Sequence, residues 1–119
     1  MTYKEKAEDI YQQLQQGKLL EAFDQYYGEE VVMTEPRGTR TGKAECRAYE
    51  EQFLDSIEEF HSLEIVNSGS NEDAGVTFIE SIMDVTFKSG DRAKMEQVAV
   101  QRWKGNHIVH ERFYYNNEQ

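Results

Sequence analysis

Near residue 60 the spacing of apolar side chains changes, and that change limits the chain to one class of fold. Before it, Tyr, Phe, Leu and Ile recur every three or four residues; after it they alternate with polar neighbours. Helices come first and strands last, which predicts an α+β protein with helices on one side of an antiparallel sheet. Tyr3, Ala7, Ile10, Tyr11 and Leu14 predict a first helix over residues 3–16, ending near Gly17. Leu19, Leu20, Ala22, Phe23, Tyr26 and Tyr27 predict a short second helix, with Gly28 as its stop. The run from Glu29 to Thr34, with Val31 and Val32, reads as a short strand entering a turn or loop at EPRGTRTG. Gly42 as N-cap and Glu45 at N3 open a third and longest helix, whose stripe Cys46, Tyr49, Phe53, Ile57 and Phe60 carries it to about residue 60.

Four strands are expected beyond that point. Leu63 and Ile65 alternate first, NSGSNEDAG interrupts, and a long strand follows from Val76 to Phe87. Ser89-Gly90-Asp91-Arg92 and Lys104-Gly105-Asn106-His107 each suggest a two-residue hairpin loop. With that loop length, Ser81, Val100 and Glu111 lie side by side, as do Met83, Val98 and Phe113. The inner face then carries Ile79, Met83, Val85, Val98, Val100, Val109, Phe113 and Tyr115. The outer face carries Phe78, Ile82, Gln101, Trp103, His110 and Tyr114. That outer mixture is too polar for a core and too aromatic for plain solvent, which predicts a homodimer interface.

A chain of 119 residues supports one core, so a single domain over 1–119 is expected. Its 23 acidic against 13 basic side chains, a net charge of -10, disfavour nucleic acid and anionic membranes as partners. The single cysteine, Cys46, allows no internal disulfide, and its place on the helical stripe makes it a small buried hydrophobe. The opening MTYKEKAEDIYQQLQQGKLL has no apolar signal-peptide core, and no 18-residue apolar run occurs. A cytoplasmic location is expected. No metal-ligand spacing, phosphate-binding glycine loop or EF-hand pattern is present, so neither a metal nor a cofactor is expected.

Periodicity alone singles out Glu111, a carboxylate among Val109, Phe113 and Tyr115 on the face expected to be inner. Two readings stay open: an ion pair with its diagonal neighbour Arg102, or a polar group in a pocket. His110 falls on the outer face, His61 and His107 flank strand ends, and Glu50-Glu51 read as a solvated helix face.

The order of elements, together with LLEAFDQYYGEEVVMTEPRG, TGKAECRAYEEQF and KGNHIVHERFYYN, resembles the nuclear transport factor 2-like superfamily, in its SnoaL-like and ketosteroid-isomerase-like branch. The resemblance covers nearly the whole chain. It implies a cone, in which a curved sheet wraps a long helix and two further helices close a pocket. In the ketosteroid-isomerase branch an acidic residue followed by proline, after the first strand, is the general base, and Glu35-Pro36 matches it. A tyrosine ten residues before a Glu-Ala pair is the oxyanion donor, and Tyr11 stands ten residues before Glu21-Ala22. The strand position of that branch's protonated aspartate falls at Val98 and Ala99, which removes one of two oxyanion donors.

The resemblance implies cofactor-free isomerase, cyclase or hydrolase chemistry on a small apolar carbonyl compound. Glu35, Tyr11 and Glu111 would be its catalytic groups, in a pocket walled by Phe53, Met83, Val98, Val100, Phe113 and Tyr115. The residues also fit plainer roles, with Glu35 in a solvated proline turn and Tyr11 a core residue with its hydroxyl at the rim. A non-catalytic ligand-binding or dimerisation module is the alternative reading.

Overall fold

A computed structural model describes residues 1–116 of the chain; the last three residues of the expected 1–119 domain lie outside the described residues. Helix α1 spans Tyr3–Gln15, α2 Leu19–Tyr26 and α3 Lys43–Ser56. The strands are β1 Tyr27–Glu35, β2 Gly38–Thr41, β3 Ile57–Asn71, β4 Val76–Phe87, β5 Arg92–Lys104 and β6 His107–Tyr114.

Thr2 starts α1 with a capping box: its hydroxyl accepts from the Glu5 N–H while Glu5 accepts from the Thr2 N–H. Glu72, from the β3–β4 turn, accepts from the N–H groups of Tyr3 and Lys4 at 2.9 and 3.1 Å. A carboxylate is thus set at the positive end of the helix. Apolar faces at helical spacing bury Ala7, Ile10 and Tyr11 from α1 and Ala22, Phe23 and Tyr26 from α2. Among the described residues no helix is long and apolar enough to cross a membrane.

The strands form one six-stranded sheet in the order β2-β1-β6-β5-β4-β3. All neighbours are antiparallel except β1 and β6, which run parallel. The sheet is therefore mixed and open-edged, and register shifts at three places along β3 bend it over α3 and α1.

Several boundaries differ from the sequence reading. Helix α2 stops at Tyr26, and Tyr27 is already the first residue of β1. The segment after Pro36 is no loop but the second arm of a hairpin, with Glu35 opposite Gly38. Helix α3 ends at Ser56 rather than near 60: Ile57 pairs with Phe87 and Phe60 with Val85 in the sheet, and Phe60 stays exposed. His61 sits within β3, its ring 2.7 Å from Thr86 Oγ1. Strand β3 also continues through NSGSN, and only 72–75 turn.

The largest difference is one of parity. Residues 88–91 join β4 to β5, and within them Lys88, Ser89 and Gly90 form a three-residue loop closed by Gly90 N–H to Phe87 O and Phe87 N–H to Asp91 O, both 2.8 Å. Gly90 takes φ 97°, the left-handed conformation that such a loop places at its third residue. Ser81 therefore faces Gln97, not Val100, and an odd shift turns β5 over. The β5–β6 loop has the expected two residues, but a bulge between Arg102 and Trp103 makes a second odd shift, so that Gln101 faces Glu111. The two shifts cancel on β6. Glu111 stays inside, while Ala99, Gln101 and Trp103 are buried and Val98 and Val100 turn to the outer face. On the Trp103 side of the bulge, Ile108 is buried and Val109 exposed.

Candidate functional site

A cavity of about 430 Å³ opens between the helices and the inner face of the sheet. Tyr11, Glu35, Phe53, Met83, Glu111, Phe113 and Tyr115 all line it. Val98 and Val100 do not: the register that pairs Val98 with Glu80 and Tyr114 carries them to the outer face.

Glu111 marks the closed end and is 1% exposed. The Tyr27 hydroxyl donates to its Oε1 at 2.5 Å, and Gln101 Nε2 donates to its Oε2 at 2.9 Å. Gln101 Oε1 in turn accepts from Thr77 Oγ1 at 2.7 Å, and Thr77 Oγ1 accepts from the Trp103 indole N–H at 2.9 Å. A continuous buried chain of donors and acceptors thus runs from Trp103 to Tyr27, satisfying polar groups that would be costly unpaired. The ion pair considered for Glu111 does not form, because Arg102 lies on the outer face opposite His110. A neutral amide and a phenol take its place.

Burial pushes the Glu111 carboxyl up to about 7, against the opposing pull of the hydrogen bonds from Tyr27 and Gln101. Glu50, on α3, is also pushed up to about 7, by burial first and then by the charge of Glu111, with Arg40 opposing. Burial and Glu111 hold the Tyr11 phenol far above its ordinary value, with Ser81 opposing. Tyr27 is raised for the same two reasons. Two phenols that stay protonated therefore stand beside two carboxyls that exchange protons near neutrality. That combination suits moving a proton while donating a hydrogen bond.

At the mouth, Glu35 accepts from the Tyr115 hydroxyl at 2.8 Å, and Arg40 Nη1 lies 3.9 Å from its other oxygen. The side chain is 11% exposed, so Glu35 is not the solvated turn residue of the plainer reading. The Arg40 guanidinium stacks over the Tyr49 ring at 3.5 Å from its centroid.

Four site residues escaped the sequence reading. Glu50, in a pair that reads as a solvated helix face, follows Cys46 by one helical turn and precedes Phe53 by three residues, and that spacing carries the signal. Tyr27 was hidden by the helix boundary, Gln101 by the parity of β5, and Arg40 by the loop assignment. Cys46 is fully buried, as expected. His110 contacts Thr34 Oγ1 at 3.4 Å and does not line the cavity. Among the described residues no group of three or more His, Cys, Asp or Glu side chains is arranged to hold a metal ion.

The family model of the SnoaL-like domain matches residues 1–115. No curated protein matches the chain in sequence. A solved structure from Mesorhizobium loti, provisionally named a SnoaL-like polyketide cyclase, is 28% identical with a TM-score of 0.82, over 97% of this chain and 100% of that one. Another from Pseudomonas putida, provisionally named a polyketide cyclase, is 19% identical with a TM-score of 0.86, over 99% and 94%. A third from Bacillus subtilis, provisionally named an isomerase, is 18% identical with a TM-score of 0.82, over 98% and 90%. The last two likenesses speak to the fold.

Proposed function

The chain belongs to the SnoaL-like domain family, and from the chemistry of its cavity we propose that it is a cofactor-free enzyme moving a proton on a small apolar carbonyl compound. The observation that carries the reading is Glu111, a buried carboxyl at the closed end of an aromatic-walled cavity, poised near neutrality. In this reading Glu111 removes a proton from the carbon beside the carbonyl, leaving an enolate whose oxygen the Tyr11 hydroxyl stabilises. The proton returns from the Glu111 carboxyl to the same or a neighbouring carbon. The charge of Glu111 in turn helps to keep Glu50 protonated. Glu35, at the position marked by the family resemblance, is the second proton-transferring carboxyl, nearer the mouth.

The test is exchange of α-protons in deuterated buffer, followed by NMR across a panel of small apolar ketones and esters. Glu111→Gln is expected to slow the exchange about 10²–10⁴-fold, and Glu35→Gln to slow it by a smaller factor; an unchanged rate in Glu35→Gln would remove the mouth carboxyl from the reaction. No exchange by the wild-type protein across the panel would favour the second reading, a non-catalytic ligand-binding module. That reading is supported by the occupancy of both Glu111 oxygens within the chain from Tyr27 to Trp103.

Assembly as a homodimer through the outer sheet face belongs to the same proposal. Phe78 is 40% exposed and Tyr114 51%, and the register sets them around half-buried Val98 and Val100.

A further inference from the structure

Arg40 is placed as a binding group without a full set of partners. Its Nε is buried and has no hydrogen-bond partner, and its closest carboxylate oxygen, on Glu35, stands 3.9 Å away, beyond hydrogen-bond reach. Glu35 meanwhile is engaged by the Tyr115 hydroxyl at its other oxygen. Stacking on Tyr49 fixes the guanidinium plane at the cavity wall without using its donors. A buried arginine donor left unpaired in this way calls for an acceptor, and a planar fork of N–H groups suits a carboxylate.

The cavity continues away from Arg40. A smaller apolar cavity of about 130 Å³ shares Leu14, Leu19, Phe53 and Met83 with the main one and ends at Leu54 and Phe60, which are exposed. From Tyr49 to Leu54 is about 8 Å along α3. A cation at one end and an apolar passage leading from it define an elongated, amphipathic shape.

We propose that the ligand is an apolar carboxylate, its head group seated on Arg40 and its hydrocarbon body lying along Phe53 and Met83 toward the smaller cavity. This rests on the reading of the cavity as a substrate site and names the class of substrate: an acid that also carries the carbonyl to be activated. Glu50, which lines the same cavity, feels the Arg40 charge and is pushed up to about 7, takes up a proton as the anion arrives, which limits repulsion between the two carboxyl groups.

The experiment is calorimetric titration with octanoate, hexanoate, octanol and octylammonium, which share one chemistry of tail and differ in head or length. Octanoate is expected to bind at least tenfold more tightly than octanol or octylammonium. Two further methylenes should make octanoate more than tenfold tighter than hexanoate. Arg40→Met is expected to bring octanoate to the affinity of octanol while octanol binding stays as in the wild type, which also certifies the fold. Arg40→Lys, keeping charge without the fork, should fall between. Equal affinity for octanoate and octanol, a preference for the ammonium, a preference for octanoate that survives Arg40→Met, no gain from chain length, or no binding at all each overturns the proposal. Because the readout is binding, its failure leaves the α-proton exchange result standing and is separable from failure of the enzymatic reading.

Discussion

Tyr27 and Glu111 lie 84 residues apart in the chain and 2.5 Å apart through their side-chain oxygens. The contact exists because β1 and β6 run side by side in parallel, with Tyr27 opposite Ile108 and Met33 opposite Glu111. Its strength follows from burial, since a phenol donating to a carboxylate away from water forms one of the stronger hydrogen bonds a protein can make. Most of the site's chemistry depends on this pairing of first and last strands.

The raised carboxyls give stability a sign. Glu111 and Glu50 both titrate near 7 in the folded protein, above the ordinary 4.5 that they regain on unfolding. Between those values the native state holds protons that the unfolded chain has released, so stability falls as pH rises from about 4.5 to about 7. Between pH 4.5 and pH 8 the stability of Glu111→Gln relative to the wild type is expected to rise by on the order of 2–3 kcal/mol, on top of a pH-independent cost for the acceptor it loses toward Tyr27 or Gln101. Urea denaturation at both pH values checks this; equal slopes in the two proteins would refute it.

Tyr27→Phe removes a donor that favours the charged form of Glu111. The Glu111 midpoint is expected to move above 7, and stability at pH 8 to drop by about 1.5–3 kcal/mol, as for a hydrogen bond to a charged group. Carbon-detected NMR titration, assigned with Glu111→Gln, reads the midpoint directly. An unmoved midpoint would mean that the phenol does not tune the carboxyl.

Thr77 joins two partners that have no substitute in the buried chain. Thr77→Val leaves the Trp103 indole N–H without its acceptor and Gln101 Oε1 without its donor, and is expected to cost about 1–3 kcal/mol. Thr77→Ser keeps both bonds and should cost less. Equilibrium unfolding of the two variants separates lost hydrogen bonds from lost packing.

Gly75 and Gly105 share a positive φ, 67° and 62°, but a Cβ at Gly75 would stand 3.2 Å from Trp103 O while one at Gly105 would meet nothing within 4 Å. Both alanine variants should lose about 1–2 kcal/mol to backbone conformation, and Gly75→Ala should lose more because Trp103 N–H also binds Gly75 O at 2.8 Å. Matching losses in thermal unfolding would show that the neighbouring strand gives way freely.

The proposed dimer has its own test on the outer face. Phe78→Glu is expected to convert a dimer to a monomer in sedimentation velocity, because it sets a charge beside Val100 in the sheet register. A wild-type monomer, or a dimer that survives the change, removes that face as the interface.

The three helices, the antiparallel run of the last three strands and the inward position of Glu111 were legible because each rests on a run of residues whose periods agree. What failed rested on single residues. One more residue in the loop at Lys88, Ser89 and Gly90 exchanged the faces of β5, and local signals favoured the shorter turn because Gly-Asp suits both. The bulge after Arg102 left no mark in the apolar pattern, since Trp103 and Ile108 fit either side. Ile57 and Phe60 satisfy the helical stripe of α3 as well as they satisfy a strand, and only pairing with β4 decides between them. Glu35 and Tyr11 entered through the family resemblance and do line the cavity; Glu50 was signalled by its place between Cys46 and Phe53 on the helical stripe, whereas Arg40 required the three-dimensional fold.

The parallel pairing of β1 with β6 also bears on how the protein comes into being. Every other neighbouring pair in the sheet is a hairpin or an adjacent strand, closed by segments near in sequence, but β1 must wait for the strand that carries Glu111. Contacts of such long sequence separation form late and slow the search for the native state. During synthesis, the nascent chain exposes Tyr27 and the flanking apolar residues of β1 until residue 111 has cleared the ribosome, so this cavity can select no ligand before its final strand arrives.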